Sequence, residues 1–203
     1  MYALVEDNNI TQIITNPKTM VIGDVRYPAK IFQLWSQSEL NAIGIYEVIT
    51  DSTNYKDPAY YNNTNEQYNF ADGQVTKSWG TATAKRLEDE NAVDEDGNPV
   101  LEDGVQVINY GLKTEKKRIV KQQASGLLAP TDWYITKSTE VADYDVPANI
   151  LSFRADVRSK SNEMETAINN CSNVDELKAL YEYTEQEDGT VTRPLVEFPT
   201  LEI

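Results

Sequence analysis

The sequence predicts an α+β chain: an N-terminal small antiparallel β region with one short helix, then a C-terminal helical hairpin, a further short helix and an extended C-terminal arm. Three observations predict it. Short β-branched runs separated by Asp, Asn and Gly fill the chain as far as residue 84, the pattern of strands joined by tight turns. From Leu112 onward apolar residues recur at spacings of three, four and seven, the period of an amphipathic helix. After Gly189 the chain returns to Thr190-Val191-Thr192 and Leu195-Val196-Glu197-Phe198, interrupted by Pro194 and Pro199. The expected organisation is a β-rich domain over 1–84, an acidic insertion or linker carrying a candidate hairpin over 85–111, a helical domain over 112–185 and an arm over 186–203.

Taken in order, Tyr2–Glu6 and Ile10–Thr15 read as a hairpin, because the Asp7-Asn8-Asn9 cluster between them tolerates the positive φ of a tight turn. Val21–Pro28 is short and β-branched, a strand or extended loop ended by its proline. Ser36-Gln37-Ser38-Glu39 matches a capping box, so a short helix carrying Leu40 and Ile43 follows, with Gly44 as its left-handed stop. Ile45–Thr50 alternates as a strand, and Asp72-Gly73 sits between alternating runs as a hairpin turn. For Tyr55, Tyr60, Tyr61 and Tyr68, in the polar stretch between, two readings stand: a contact surface, or cover for a small sheet.

The acidic peak, Glu88–Pro99, invites a calcium reading that its spacing rejects. Aligned on Asp94, the sixth position is Pro99 where an EF-hand needs Gly, and the twelfth is Val105 rather than Glu. An Asp-Gly-Asn turn in a solvated insertion is expected instead. Lys113, Lys116, Lys117, Arg118 and Lys121 then stand on one helix whose apolar side is Leu112, Ile119, Val120, Ala124 and Leu127. The charge run reads as a solvated face, or as a patch that docks on an acidic sister subunit.

Gly126 and Pro130 are expected to end that helix, with Thr131–Ile135 a turn leading into an extended piece. Asp145 and Pro147 are placed to open the next helix, whose stripe of Ile150, Phe153, Val157, Met164, Ile168 and Cys171 packs back on the first. Asn173 caps a last short helix that turns Leu177, Leu180 and Tyr181 inward. The arm pairs with its own chain or adds a strand to a neighbour.

Composition narrows the chemistry. With 33 acidic and 18 basic residues among 203 the formal net charge is −15, a field that repels phosphate backbones and anionic headgroups, so neither nucleic acid nor a membrane surface is expected as a partner. Histidine is absent, which removes the usual general base near neutral pH and the commonest metal ligand. The single cysteine, Cys171, reads as a buried core thiol. No glycine-rich phosphate loop, dinucleotide fingerprint, nucleophile elbow or paired-cysteine site is present, and no cofactor, metal or catalytic residue is assigned. The N-terminus lacks the basic and apolar regions of a signal peptide, and no apolar run approaches the ~20 residues of a membrane span.

The basic helix, the Leu127-Leu128-Ala129-Pro130-Thr131-Asp132-Trp133-Tyr134 segment, the Pro-led helix with Phe153, Arg154 and Arg158, and the Asn173 cap together resemble the C-terminal region of tail-fibre-assembly-like proteins of tailed phages. The resemblance spans Leu112 to Tyr181, and Trp35–Tyr46 also looks like phage proteins of this type. The tyrosine-rich stretch and the acidic insertion stand outside the pattern. The resemblance implies a non-enzymatic structural component of a tailed-phage virion, located in the virion and in the host cytoplasm during assembly. Its expected partners are other tail or fibre proteins and further copies of itself. The alternative is a tail-fibre assembly chaperone that does not remain in the particle.

Thr131, Asp132, Trp133, Tyr134, Phe153, Arg154 and Arg158 are the residues expected to form a structural motif or a contact. In the structural reading Trp133 fills the gap between two antiparallel helices, while Arg154 pairs with Asp132 or caps the carboxyl end of the first helix.

Overall fold

Asp7 and Asn8 adopt φ of 49° and 62° and set the first turn, joining β1 (Tyr2–Glu6) to β2 (Asn9–Ile14). A computed structural model describes residues 1–201 of this α+β chain, which divides into two units, Met1–Thr83 and Ala84–Ile203. In the first unit a second hairpin, β3 (Met20–Ile22) and β4 (Val25–Tyr27), precedes α1 (Ile31–Leu34), α2 (Gln37–Ala42) and β5 (Ile45–Thr50). Then come β6 (Tyr61–Asn62), β7 (Gln67–Ala71) and β8 (Gln74–Ser78), the last two joined by Asp72-Gly73 at φ of 52° and 73°. A two-residue piece, β9 (Thr83–Ala84), ends this run of strands.

The five-stranded sheet has the order β2-β1-β5-β8-β7. Two expectations are corrected here. The sheet is mixed rather than antiparallel, because β5 runs parallel to β8 through Val48↔Val75, Ile49↔Thr76 and Thr50↔Lys77. It is the second strand of the Asp72-Gly73 hairpin that carries the fully buried Val75, so that strand takes the inner place and β7 goes to the edge. There are also two short helices instead of one, α1 preceding the capped α2.

Alternation along β1 builds a core on each face of the sheet. Ala3 and Val5 meet Val75, with Tyr46, Val48 and Phe70 around them. Leu4 faces the other way, against Ile14, Met20, Ile31, Phe32, Leu40 and Ile45. Both short helices and the β3/β4 hairpin supply this second layer. The capping box at Ser36 forms as the sequence requires, with Ser36 N donating to Glu39 Oε2 at 2.7 Å and Glu39 N to Ser36 Oγ at 3.4 Å. Gly44 ends α2 at φ 82°, and its carbonyl accepts from Val5 N at 2.8 Å, which ties the helix exit to the sheet.

The second unit opens with the acidic segment, folded as nested hairpins: β10 (Glu90–Asn91) pairs β13 (Ile108–Asn109), and β11 (Leu101–Glu102) pairs β12 (Val105–Gln106). Asp94 makes the expected turn, accepting from Asp96 N at 3.0 Å and Asn98 N at 2.8 Å while Gly97 takes φ 83°. Four helices follow, α3 (Leu112–Leu128), α4 (Asp132–Glu140), α5 (Ala148–Asn170) and α6 (Val174–Ala179).

The acidic segment also starts α3. The free amides of Leu112 and Lys113 donate to the Arg86 and Leu87 carbonyls, and the Asp89 carboxylate accepts from Gly111 N at 2.8 Å and Thr114 Oγ1 at 2.9 Å. A carboxylate is the favoured group at a helix N-terminus.

Ile150, Phe153, Val157, Met164 and Ile168 form the buried stripe of α5, against Val120 and Ala124 of α3. Cys171 and Leu177 extend this buried set. Several local expectations are corrected. Gly126 lies within α3, which runs on to Leu128. Thr131–Ile135 is neither turn nor strand: a single 3₁₀ turn, Ala129–Thr131, leads straight into α4. Pro147 takes the N-cap position of α5 rather than Asp145. The arm's β15 (Val191–Thr192) pairs with β14 (Thr184–Glu185) just before it, and residues 195–201 are irregular, with Leu195 buried.

Gly44 gives a direct test of the first unit. A Cβ there would stand 2.6 Å from the Val5 carbonyl oxygen, at a φ of 82°. Gly44→Ala is expected to cost about 1–3 kcal/mol, read as a lower midpoint for the first unit in urea unfolding.

Candidate functional site

Apart from Arg158, the residues singled out around the Thr-Asp-Trp segment come together at one end of the α3/α5 pair, and they separate by role. The two helices run antiparallel, since Lys113 in the first turn of α3 bonds the last turn of α5 and Arg154 in the second turn of α5 bonds the last residue of α3. At one end Arg154, only 8% exposed, donates from Nη1 to the Leu128 carbonyl at 3.1 Å, Thr131 Oγ1 at 2.5 Å and Asp132 Oδ1 at 2.8 Å. Thr131, also buried, donates its own hydroxyl to the Leu128 carbonyl at 2.7 Å. A buried cation therefore caps the negative end of α3, while the Asp132 carboxylate sits in the first turn of α4; both placements suit the helix dipoles. Phe153 lies alongside in the cluster with Ala124 and Val157.

Trp133 is corrected. It is 52% exposed, so it does not fill the gap between the helices; Arg154 and Thr131 occupy that place. Trp133 stacks on Tyr134 with ring centroids 3.8 Å apart, and the Lys137 ammonium lies 5.7 Å from the Trp133 ring and 4.2 Å from that of Tyr144. Both aromatics border a 430 Å³ groove with Pro130, Pro147, Ile150 and Leu201. Arg158 stands outside the cluster, exposed, and donates along its own helix to the Arg154 carbonyl at 3.2 Å.

The opposite end holds a residue that the sequence reading placed on a solvated face. Lys113 is buried at 8% exposure; its Nζ donates to the Asn169 carbonyl at the end of α5 at 2.9 Å and pairs with Glu88. The signal for it is positional: Lys113 precedes Val120 by seven residues and Ala124 by eleven, so it falls on the inward stripe of α3. Ile119, assigned to that stripe, is instead exposed at 45%. The rest of the basic run makes surface pairs, Lys117 with Asn169 Oδ1 at 2.8 Å and Lys121 with Glu165 at 3.3 Å. Near this end burial pushes the Cys171 thiol up, aided by the Glu176 carboxylate, as befits a core thiol rather than a nucleophile.

In the first unit the tyrosines divide. Tyr60 and Tyr61 are buried, whereas Tyr55 is 43% exposed and packs on Trp79 at 4.7 Å. Lys77 lies 4.8 Å from the Trp79 ring and 5.6 Å from that of Tyr68, and pairs with Glu66 at 2.9 Å. That bond, and one from the Tyr68 hydroxyl, hold the Glu66 carboxyl below its usual range.

Among the described residues no His, Cys, Asp or Glu group is arranged to hold a metal ion, and no helix is long and apolar enough to cross a membrane. No family model, no curated protein and no solved structure matches this chain.

Removing the Arg154 guanidinium leaves buried acceptors without their donor. Arg154→Met is expected to destabilise the second unit by about 2–3 kcal/mol. Asp132→Asn should cost under ~1 kcal/mol, because that carboxylate is largely in water; thermal unfolding of the two variants compares them. The Glu66–Lys77 pair predicts a pH profile. A carboxyl lowered in the folded state contributes stability above its ordinary pKa and loses it as pH falls through the lowered value. Lys77, raised chiefly by Glu66, contributes below the ordinary lysine value and loses it as pH rises through the raised one. Melting temperature against pH should show the acid decline shrink in Glu66→Gln.

Proposed function

We propose that this chain is a non-enzymatic structural component of a tailed-phage virion, associated with the tail or its fibres and acting through protein–protein contacts. The resemblance over Leu112 to Tyr181 supports the context. One observation carries the contact role: Trp133 is half exposed beside a groove, in the first turn of α4, next to the buried Arg154–Thr131 bond that precedes that helix. A fixed, exposed tryptophan offers a large contact area with little side-chain entropy left to lose, the property of interface anchors. The groove's walls combine aromatic, proline and aliphatic side chains with the polar Thr131 and Asn149, a chemistry suited to holding a polypeptide.

Mass spectrometry of purified virions of the encoding phage tests the reading. Peptides of this chain are expected in the particle. Their absence, together with co-purification of a fibre protein on co-expression, overturns the virion reading and leaves the chaperone. Trp133→Ser should leave folding stability within ~0.5 kcal/mol yet reduce incorporation at least tenfold, the loss of an anchor worth about 2 kcal/mol.

A further inference from the structure

The nested hairpins of the acidic segment concentrate one sign of charge. From Glu88 to Gly111 the sequence holds eight carboxylates and no lysine or arginine, more than half of the net charge of −15. Glu88, Asp89 and Glu90 are engaged within the chain, with Lys113, the start of α3 and Arg86. Glu102 and Asp103, at the tip of the β11/β12 hairpin, are not: among the described residues neither carboxylate has a hydrogen bond or an ion pair.

Charge alone would make this a solvated tip, but apolar side chains stand beside it. A 480 Å³ concavity has Glu102, Asp103, Val105, Val107, Ile108 and Tyr110 in its walls, with Val105 69% exposed and Tyr110 62% exposed. Exposed apolar groups gathered beside a charged rim mark a contact surface. The frame is also fixed. Gln106 Nε2 donates to the Ala92 and Val107 carbonyls, both at 2.8 Å, while Val100 N bonds the Ala92 carbonyl and Val107 N the Val100 carbonyl, each at 2.9 Å. The tip is held from its base, so little order remains to be imposed on binding.

We propose that this concavity binds a basic segment of another protein, an extended run in which arginine or lysine alternates with apolar residues. Each wall suits one part of such a chain. Glu102 and Asp103 supply carboxylates for the charged head, Tyr110 offers a ring face for cation–π contact, and Val105, Val107 and Ile108 border the space for the methylene stem and its apolar neighbours. The sign of the charge repels phosphate backbones and anionic headgroups. Among the described residues no carboxylates are grouped to hold a metal ion. This surface shares no residue with the Trp133 groove, and the inference does not rest on the tail reading.

The test uses the full chain and a fluorescently labelled synthetic hexapeptide of alternating arginine and leucine, followed by anisotropy at about 0.15 M salt. Binding is expected well below ~1 mM chain. Val105→Ser with Tyr110→Ser should weaken it about tenfold at an unchanged melting temperature, since both side chains are exposed. Glu102→Gln with Asp103→Asn should weaken it about tenfold and flatten its salt dependence. Glu95→Gln with Asp96→Asn removes the same charge from the neighbouring turn and should leave it nearly unaltered, as should Trp133→Ser. No binding at ~1 mM chain, indifference to Val105 and Tyr110, an equal loss from the Glu95 and Asp96 pair, or a loss from Trp133→Ser overturns the site.

Discussion

Two buried cations, one at each end of a helix pair, hold the second unit in register. Arg154 from the first turns of α5 bonds the last carbonyl of α3, and Lys113 from the first turn of α3 bonds the last turn of α5. A helix leaves its final carbonyls without partners, and burying them beside another helix would be costly unless a donor reaches them. A cation meets that need twice over, by hydrogen bonds and by its charge at the negative end of the dipole. Glu88 and Asp132 balance the two cations, and each carboxylate is more exposed than the cation it pairs with. The acidic segment and the start of α4 are therefore fastened to the hairpin through charge. Neither is a passive insertion.

This arrangement separates two properties within one short stretch of sequence. Thr131 and Asp132 turn inward to Arg154, and the next two residues, Trp133 and Tyr134, turn to the groove. Because the inward pair is fixed, the outward pair is presented at a fixed place. Side chains carried on a loop would have to be ordered by whatever they met; these are ordered by the fold.

Much of the local architecture was legible in the residues themselves. Asp7-Asn8 and Asp72-Gly73 announce hairpins because few other residues accept their φ values, and Ser36 with Glu39 announces a helix start because both groups bond within one turn. The stripe on α5 was equally plain. What escaped the sequence depends on partners far along the chain. The parallel pairing of β5 with β8 is decided by which hairpin strand carries Val75. Trp133, Tyr134 and Ile135 have strand-forming side chains, yet the chain runs from the 3₁₀ turn straight into α4, beside the Thr131–Arg154 bond at the end of α3. Lys113 looked like one more charge in a basic run, and only its spacing from Val120 marks it as an inward residue. For the site, the members apart from Arg158 were legible and their directions were not: whether Trp133 faces in or out depends on what else fills the space between the helices.

The paired end caps have a consequence for how such a chain can change length. The stretch from Lys113 to Leu128 and the stretch from Arg154 to Asn169 contain equal numbers of residues, each about 22 Å at the rise of an α-helix. The hairpin is thus a gauge with a stop at either end. Lengthening one helix by a single residue would carry its far carbonyl past the waiting cation and rotate its apolar stripe by ~100°. Only compensated changes in both helices, in steps that restore the helical phase, keep both stops engaged, so insertions are confined to the connecting segments outside the gauge.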